Sequence, residues 1–432
     1  MRVFETHVQE LKNDVLRSVA RLAWDNDLQT GTLDIPEQII PGPEAKMRCC
    51  IYKERAIIGQ RVKIAMGGDR TNPNLVEVLD IACDECPVTE ISVGPSCRGC
   101  IATRCVHACP KDAIIVVDRK AQIDPNKCIS CGACVYQCPF GAIMDKSYLV
   151  DAIQMLKGAE RWGYRVYAAV APSIAGQFTP ATLGQVVAGL KEAGFQGVAE
   201  VALGADMVAR AESEELVEKG KLTSSCCPAF VDYVEKYHPQ EAALVSHTPS
   251  PMVMTARWLK EKDPGCKVIF IGPCVAKKKE FQLGKTMGAV DCVLTFEELY
   301  PLFQGRDIDI TALEEAPLDQ ASGFGRAFAH SGGVAAAVAQ ALKERGVTEE
   351  QFKLCAAPCS GIDACKAAVM KLGRGIGDTN FVEGMACEGG CVQGAGVLIR
   401  SPKNQADVDR HAKAAGGRTI AQAVEGAGPA AE

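Results

Sequence analysis

The chain reads as an α/β domain preceded by a small, cysteine-rich α+β module. Three observations carry that reading. Between residues 165 and 300, short apolar runs alternate with helical stretches: Arg165-Val-Tyr-Ala-Ala-Val-Ala, Gly197-Val-Ala-Glu-Val-Ala, Lys267-Val-Ile-Phe-Ile-Gly and Val290-Asp-Cys-Val-Leu-Thr. Runs of this kind mark strands covered on both faces of a parallel sheet. Ahead of them, eight cysteines fall in two similar clusters between Cys97 and Cys138, each closed by a cysteine before proline, in Pro110-Lys-Asp-Ala-Ile and Pro139-Phe-Gly-Ala-Ile. Finally, 432 residues at 47% hydrophobic and 23% charged suffice for about two to four globular domains.

Residues 1–90 form the first segment. Val8, Leu11, Val15, Val19 and Leu22 repeat at helical spacing, and the Pro-broken Ile35-Pro-Glu-Gln-Ile-Ile-Pro-Gly-Pro follows. A polar helix then runs between two thiol pairs, Cys49-Cys50 and Cys83-Asp-Glu-Cys86. Those four thiols could hold one additional iron–sulfur cluster or be redox-inert. Adjacent cysteines diverge in direction, which weighs against the cluster.

Residues 91–147 carry the strongest local signal. Cys128-Ile-Ser-Cys131-Gly-Ala-Cys134-Val-Tyr-Gln-Cys138-Pro139 has the bacterial-ferredoxin spacing, in which three close cysteines hold one [4Fe-4S] cube and the fourth ligates its neighbour. The expected sets are Cys97, Cys100, Cys105 and Cys138 for one cluster, and Cys128, Cys131, Cys134 and Cys109 for the other. Four residues separate Cys100 from Cys105 where two are usual, which predicts a bulge in the first loop. Zinc is the alternative for an isolated Cys-x-x-Cys, but eight thiols in this order disfavour it. His107, between ligands, reads as a surface residue.

Composition excludes several functions. Twenty-two cysteines without an N-terminal apolar segment point to reduced thiols holding iron in the cytoplasm rather than to a secreted disulfide scaffold. No apolar run approaches the roughly 20 residues of a membrane span. A net charge of −6 argues against nucleic acid. There is no Rossmann fingerprint or Walker loop; Gly373-Arg-Gly-Ile-Gly377 is too weak a pattern to count.

Residues 148–400 form the α/β domain, entered through a helical stretch from Tyr148 to Gly163, and 401–432 read as a peripheral helix with a frayed end. Cysteines stand where α/β sites gather, beyond the carboxyl ends of strands. Three segments hold them: Leu222-Thr-Ser-Ser-Cys226-Cys227-Pro-Ala-Phe230, Ile271-Gly-Pro-Cys274-Val-Ala-Lys277-Lys-Lys-Glu280, and Phe381-Val-Glu-Gly-Met-Ala-Cys387-Glu-Gly-Gly-Cys391-Val-Gln-Gly-Ala-Gly396.

In order and spacing these segments resemble the three signature motifs of [FeFe]-hydrogenases, over roughly residues 165–400. Many members of that family also carry the two-cluster ferredoxin module. The resemblance implies two lobes with mainly parallel sheets around a buried H-cluster, a [4Fe-4S] cube joined to a two-iron subcluster bearing CO, cyanide and an azadithiolate. By motif position Cys227, Cys274, Cys387 and Cys391 would hold the cube, with Cys391 as the bridge. Cys226 would then pass protons to the dithiolate amine, and the path Cys226, Glu215, Ser246, Glu212 would lead outward, with Glu215 nearer the cluster. Lys277 matches a lysine that hydrogen-bonds cyanide, and Pro172, Ser173 and Met385 match contacts to the subcluster; Glu280 supports either Lys277 or the local helix. Phe328 either lines the pocket or is ordinary core.

Four positions depart from the family pattern. Gly272 stands where methionine is usual, Met252 where glutamine is usual, Ser225 alters the first motif, and Ala395 interrupts a glycine triplet. The glycines of the third segment are expected to let the backbone approach the cofactor. Cys266, Cys292, Cys355, Cys359 and Cys365 have no counterpart among the ligands and read as buried or protective thiols. The implied activity is 2 H+ + 2 e− ⇌ H2, with electrons from ferredoxin or a similar small carrier, and with maturation proteins as further partners. The rival readings are a slowly turning H2 or redox sensor and a non-catalytic iron–sulfur assembly protein. Assembly proteins need the cube without the subcluster, so Cys226, Lys277 and Met385 weigh against that reading.

Overall fold

Two parallel sheets dominate the computed structural model, which describes residues 4, 6–43, 45–46, 50–72, 74–79, 103–117, 120–138 and 143–427. Cys49, Cys83, Cys86, Cys97 and Cys100, named above as candidate ligands, lie outside the described residues. Four short strands precede the sheets: β1 (Val76–Val78), β2 (Ile114–Val117), β3 (Lys120–Ile123) and β4 (Ile143–Asp145). β2 and β3 form the antiparallel ribbon of the cysteine-rich module, and β1 pairs antiparallel with β4. That second pairing knits the first segment to the module in one sheet, across the boundary drawn near residue 90.

The larger sheet contains all four apolar runs. β5 (Val166–Val170) and β6 (Gly197–Glu200) pair directly, and β8 (Lys267–Gly272) and β9 (Cys292–Thr295) extend the order to β6-β5-β8-β9, parallel throughout. The smaller sheet joins β7 (Leu222–Thr223), β10 (Ala356–Ser360) and β11 (Phe381–Met385) in the parallel order β10-β11-β7. No apolar run announces it, because Pro358, Cys359, Glu383 and Gly384 interrupt its strands. The result is an α/β domain with two parallel lobes.

Helices follow the amphipathic pattern. His7–Asp25 is closed by a Thr6/Gln9 capping box and buries Leu11, Val15 and Val19. Leu149–Trp162 ends on Gly163 in the left-handed region. Past residue 400 there are two helices, Lys403–Lys413 and Ile420–Gly426, and they bury Asn404, Val408, Ile420 and Ala423. Asn404 donates to the carbonyls of Val392 and Ile399, which ties helix Lys403–Lys413 to the third cysteine loop; the end of the chain past residue 427, expected to fray, lies outside the described residues. No helix among the described residues is long and apolar enough to cross a membrane.

Candidate active site

Every cysteine motif of the α/β domain begins within a few residues of a parallel strand's carboxyl end. β7 leads to Cys226 and Cys227, β8 to Cys274, β11 to Cys387 and Cys391, and β5 to Pro172 and Ser173. Cys227 is the N-cap of helix Pro228–Tyr237, whose proline at the first position suits a helix start.

The four thiols of Cys227, Cys274, Cys387 and Cys391 meet between the lobes. Electrostatic influence links all six pairs among them. Burial pushes the Cys274 thiol up to about 11 and those of Cys387 and Cys391 well above the usual range, with the neighbouring thiols adding to the rise. Among the described residues, no three His, Cys, Asp or Glu side chains are gathered tightly enough to hold one metal ion. Thiolates are soft donors of the kind that hold iron–sulfur clusters. Beside them the Ser173 hydroxyl is fully buried without a hydrogen-bond partner, an orphan that a bound group would satisfy. Met385 is buried, and its sulfur lies against Gly390. Phe328 is buried in the core cluster that contains Met385.

The cysteine-rich module repeats this arrangement. Cys109, Cys128, Cys131 and Cys134 influence one another in all six pairs, the set that the spacing assigns to one cluster. Cys131 also acts on Cys227 and Cys387, so this set adjoins the four thiols between the lobes. Cys105 acts on Cys134; Cys138 lies in the main core, and Cys105 packs against it partly buried. His107 is exposed.

Lys277 is buried and fully engaged. Its Nζ donates to Glu280 Oε2 at 2.6 Å, Ser250 Oγ at 2.9 Å and the Cys226 carbonyl at 3.1 Å. Burial opposes its charge, but Glu280 prevails and the pKa is raised. An ammonium has three hydrogens, so an anionic ligand would take the place of one of these acceptors.

The carboxylates correct the expected order. Glu212 is the inner one: it is fully buried, it acts on Cys226, and its Oε1 accepts from the Ser225 backbone N–H at 3.0 Å. Burial raises its pKa from 4.5 to about 8. Glu215 lies outward, accepting from Ser246 Oγ at 2.6 Å, Lys219 Nζ at 2.6 Å and the His247 N–H at 3.0 Å. Burial opposes its charge too, but these donors prevail and its pKa is lowered. Both sit on helix Val201–Lys219, where three residues make most of one turn; Glu215, nearer the exposed C-terminal end, meets the solvent. Ser246 stands between them: its hydroxyl donates to Glu215 and it is near enough to act on Glu212, whose Oε2 is buried without a hydrogen-bond partner. Cys226 is half-buried, and desolvation together with Glu212 raises its thiol well above the usual range.

Ser225, Ser250, Lys219 and His247 join the site without having been singled out as contributors. Only Lys219 carried a sequence signal, its Glu-to-Lys spacing of four with Glu215.

Known proteins resemble the chain in the same regions. The family described as "Iron only hydrogenase large subunit, C-terminal domain" matches residues 164–395, and "4Fe-4S binding domain" matches 121–144. The NADP-reducing hydrogenase subunit HndD of Solidesulfovibrio fructosivorans is 27% identical over 69% of this chain, which spans 60% of that relative. Iron hydrogenase 1 of Clostridium pasteurianum is 26% identical, with 69% of each chain covered. Cytosolic iron-sulfur assembly component 3 of Mus musculus is 25% identical over 65% of this chain and 72% of its own. The apo [FeFe]-hydrogenase of Chlamydomonas reinhardtii shares the fold at 24% identity and a TM-score of 0.51, covering 62% of this chain and 88% of that one.

Proposed function

The chain belongs to the iron-only hydrogenase large-subunit family, and from that premise we propose that it catalyses 2 H+ + 2 e− ⇌ H2. One observation carries the reading. A half-buried thiol, Cys226, stands beside the clustered thiols and in electrostatic contact with a buried acid, Glu212, and Ser246, hydrogen-bonded to the outer carboxylate Glu215, lies near enough to act on that acid. An iron–sulfur protein that only stores or hands on a cluster has no use for such a path.

Cys227, Cys274, Cys387 and Cys391 would hold the cube of an H-cluster, and Pro172, Ser173, Lys277 and Met385 would line its two-iron part. When bound, that cofactor supplies the joining of two protons and two electrons into H2. The chain moves the protons. Glu215 gives a proton to the Ser246 oxygen as the Ser246 hydroxyl gives its own to Glu212, which passes one to Cys226. Glu212 is neutral below about pH 8 and Cys226 is a thiol, so both hold a proton ready at neutral pH. Lys277 ties the second motif to the first through the Cys226 carbonyl and fixes where that thiol stands. Electrons would arrive from a ferredoxin-type carrier through the two clusters of the module, the nearer one held by Cys109, Cys128, Cys131 and Cys134.

The test is infrared spectroscopy of protein matured with the hydrogenase assembly machinery, paired with H2 evolution from a reduced carrier. CO and cyanide bands with turnover are expected. Cys226→Ala should keep the bands and lose most of the turnover; unchanged turnover would remove the thiol from the path. Matured wild type without bands would transfer the chain to the assembly-protein reading, and bands with negligible turnover would favour a sensor.

A further inference from the structure

Beyond Glu215 stands an imidazole that takes no part in the path described so far. The His247 side chain is 80% exposed, whereas that of Glu215 is only 11% exposed. The His247 backbone N–H donates to both Glu215 oxygens, at 3.0 and 3.1 Å, which tethers ring and carboxylate to each other. Nδ1 of the ring lies 3.4 Å from Glu215 Oε1 and 3.2 Å from Lys219 Nζ. A single ring nitrogen cannot serve both neighbours in one protonation state. Neutral, it accepts from the lysine; charged, it donates to the carboxylate.

We propose that His247 gathers protons at the mouth of the path and delivers them to Glu215. With its hydrogen on Nε2, the neutral ring takes a proton on Nδ1 from water or buffer. The imidazolium then gives that Nδ1 proton to Glu215 Oε1, so one cation and one carboxylate become two neutral groups. An imidazole suits the step because one ring nitrogen can take up and give back a proton while the other keeps its hydrogen. Lys219 then fills the vacated Nδ1 and holds the ring for the next proton. The charged groups facing the ring are Glu215 and Lys219; lining the adjoining cavity of about 420 Å3 are Asp232, Glu235, Arg257, Lys279, Glu280 and Lys285.

The role in turnover rests on the hydrogenase reading, but the proton link does not, and two experiments separate them. In unmatured protein, a 15N imidazole titration should show the His247 midpoint falling in Glu215→Gln and rising in Lys219→Met, each by about half a pH unit. A midpoint unmoved by Glu215→Gln would overturn the proposal. In matured protein, His247→Ala should slow H2 evolution severalfold in dilute buffer, and added free imidazole should restore it. Unchanged turnover, or a loss that imidazole does not rescue, would likewise overturn it. If matured wild type is inactive, the hydrogenase reading fails and the titration alone decides the proton link.

Discussion

Glu212 and Glu215 differ by three residues on one helix, yet burial separates their chemistry. The inner acid sits without solvent and titrates at about 8; the outer one is held charged by three donors. A pH dependence follows from the inner group. Its native pKa is raised, so between about 4.5 and 8 the folded state holds a proton that the unfolded chain has released, and this contribution to stability falls as pH rises through that window. Glu212→Gln removes the titration. Its unfolding free energy relative to wild type, followed by thermal melting, should therefore climb from pH 5 to pH 8 and level off above, at a slope of at most about 1.4 kcal/mol per pH unit. Parallel melting curves across that range would contradict the assignment. The same variant should lose H2 turnover, because an amide cannot relay the proton.

At the level of elements, the departures from the family pattern are repacked locally. A Cβ on Gly272 would lie 2.5 Å from the Phe270 ring, two residues back on the same face of β8, so the phenylalanine occupies the space of the absent side chain. Gly272→Met should cost roughly 1–3 kcal/mol in thermal unfolding, and Phe270→Ala added to it should recover part of that loss; additive losses would mean the two sites do not compete. Ala395 is explained similarly. Its methyl packs where a Cβ on Gly132 would come within 2.6 Å, so the interrupted glycine triplet is matched by a glycine in the cysteine-rich module. The glycines of the third motif also serve protein packing more than expected. Gly394 and Gly396 close on the Pro273 carbonyl, and Gly390, at φ 93°, lies against His330 and Ser331. The buried Glu383 of β11 accepts from the Gly332 and Ala335 N–H groups and caps helix Gly333–Glu344 beside them.

Across the whole molecule, one buried charge network joins three parts of the chain. Asp145 of β4 pairs with Lys12 of the first helix at 2.8 Å and with Lys278 of the second motif at 2.8 Å; Lys12 also pairs with Glu297, and Lys278 with Glu298. Burial works against the Asp145 charge, but the two lysines prevail and hold its pKa below the ordinary carboxylate range. Its contribution is therefore present above pH 4 and lost as pH falls further. Asp145→Asn would leave two buried ammonium groups short of a partner, and a loss of about 3–5 kcal/mol is expected, read as a lower melting temperature at pH 7. Helix Pro228–Tyr237 adds a second brace, since Lys236 and Tyr237 donate to the carbonyls of Cys128 and Lys127 in the module. Neighbouring thiol sets are thus braced against each other.

The apolar runs of β5, β6, β8 and β9, the ferredoxin spacing and the three cysteine motifs were legible in the sequence, because strand burial and cluster ligation impose local periods and spacings. The smaller sheet was not, since polar residues and proline interrupt its strands and only pairing with one another makes them strands. Nor was the order of the two glutamates. Residue type and spacing select a pair of carboxylates on one helix face, but which of them is buried depends on how that helix lies against the loops carrying Ser225 and His247, contacts between segments far apart in the chain. Sequence alone determined that the chain carries the cysteine motifs of its family; packing decided which of the two glutamates is buried.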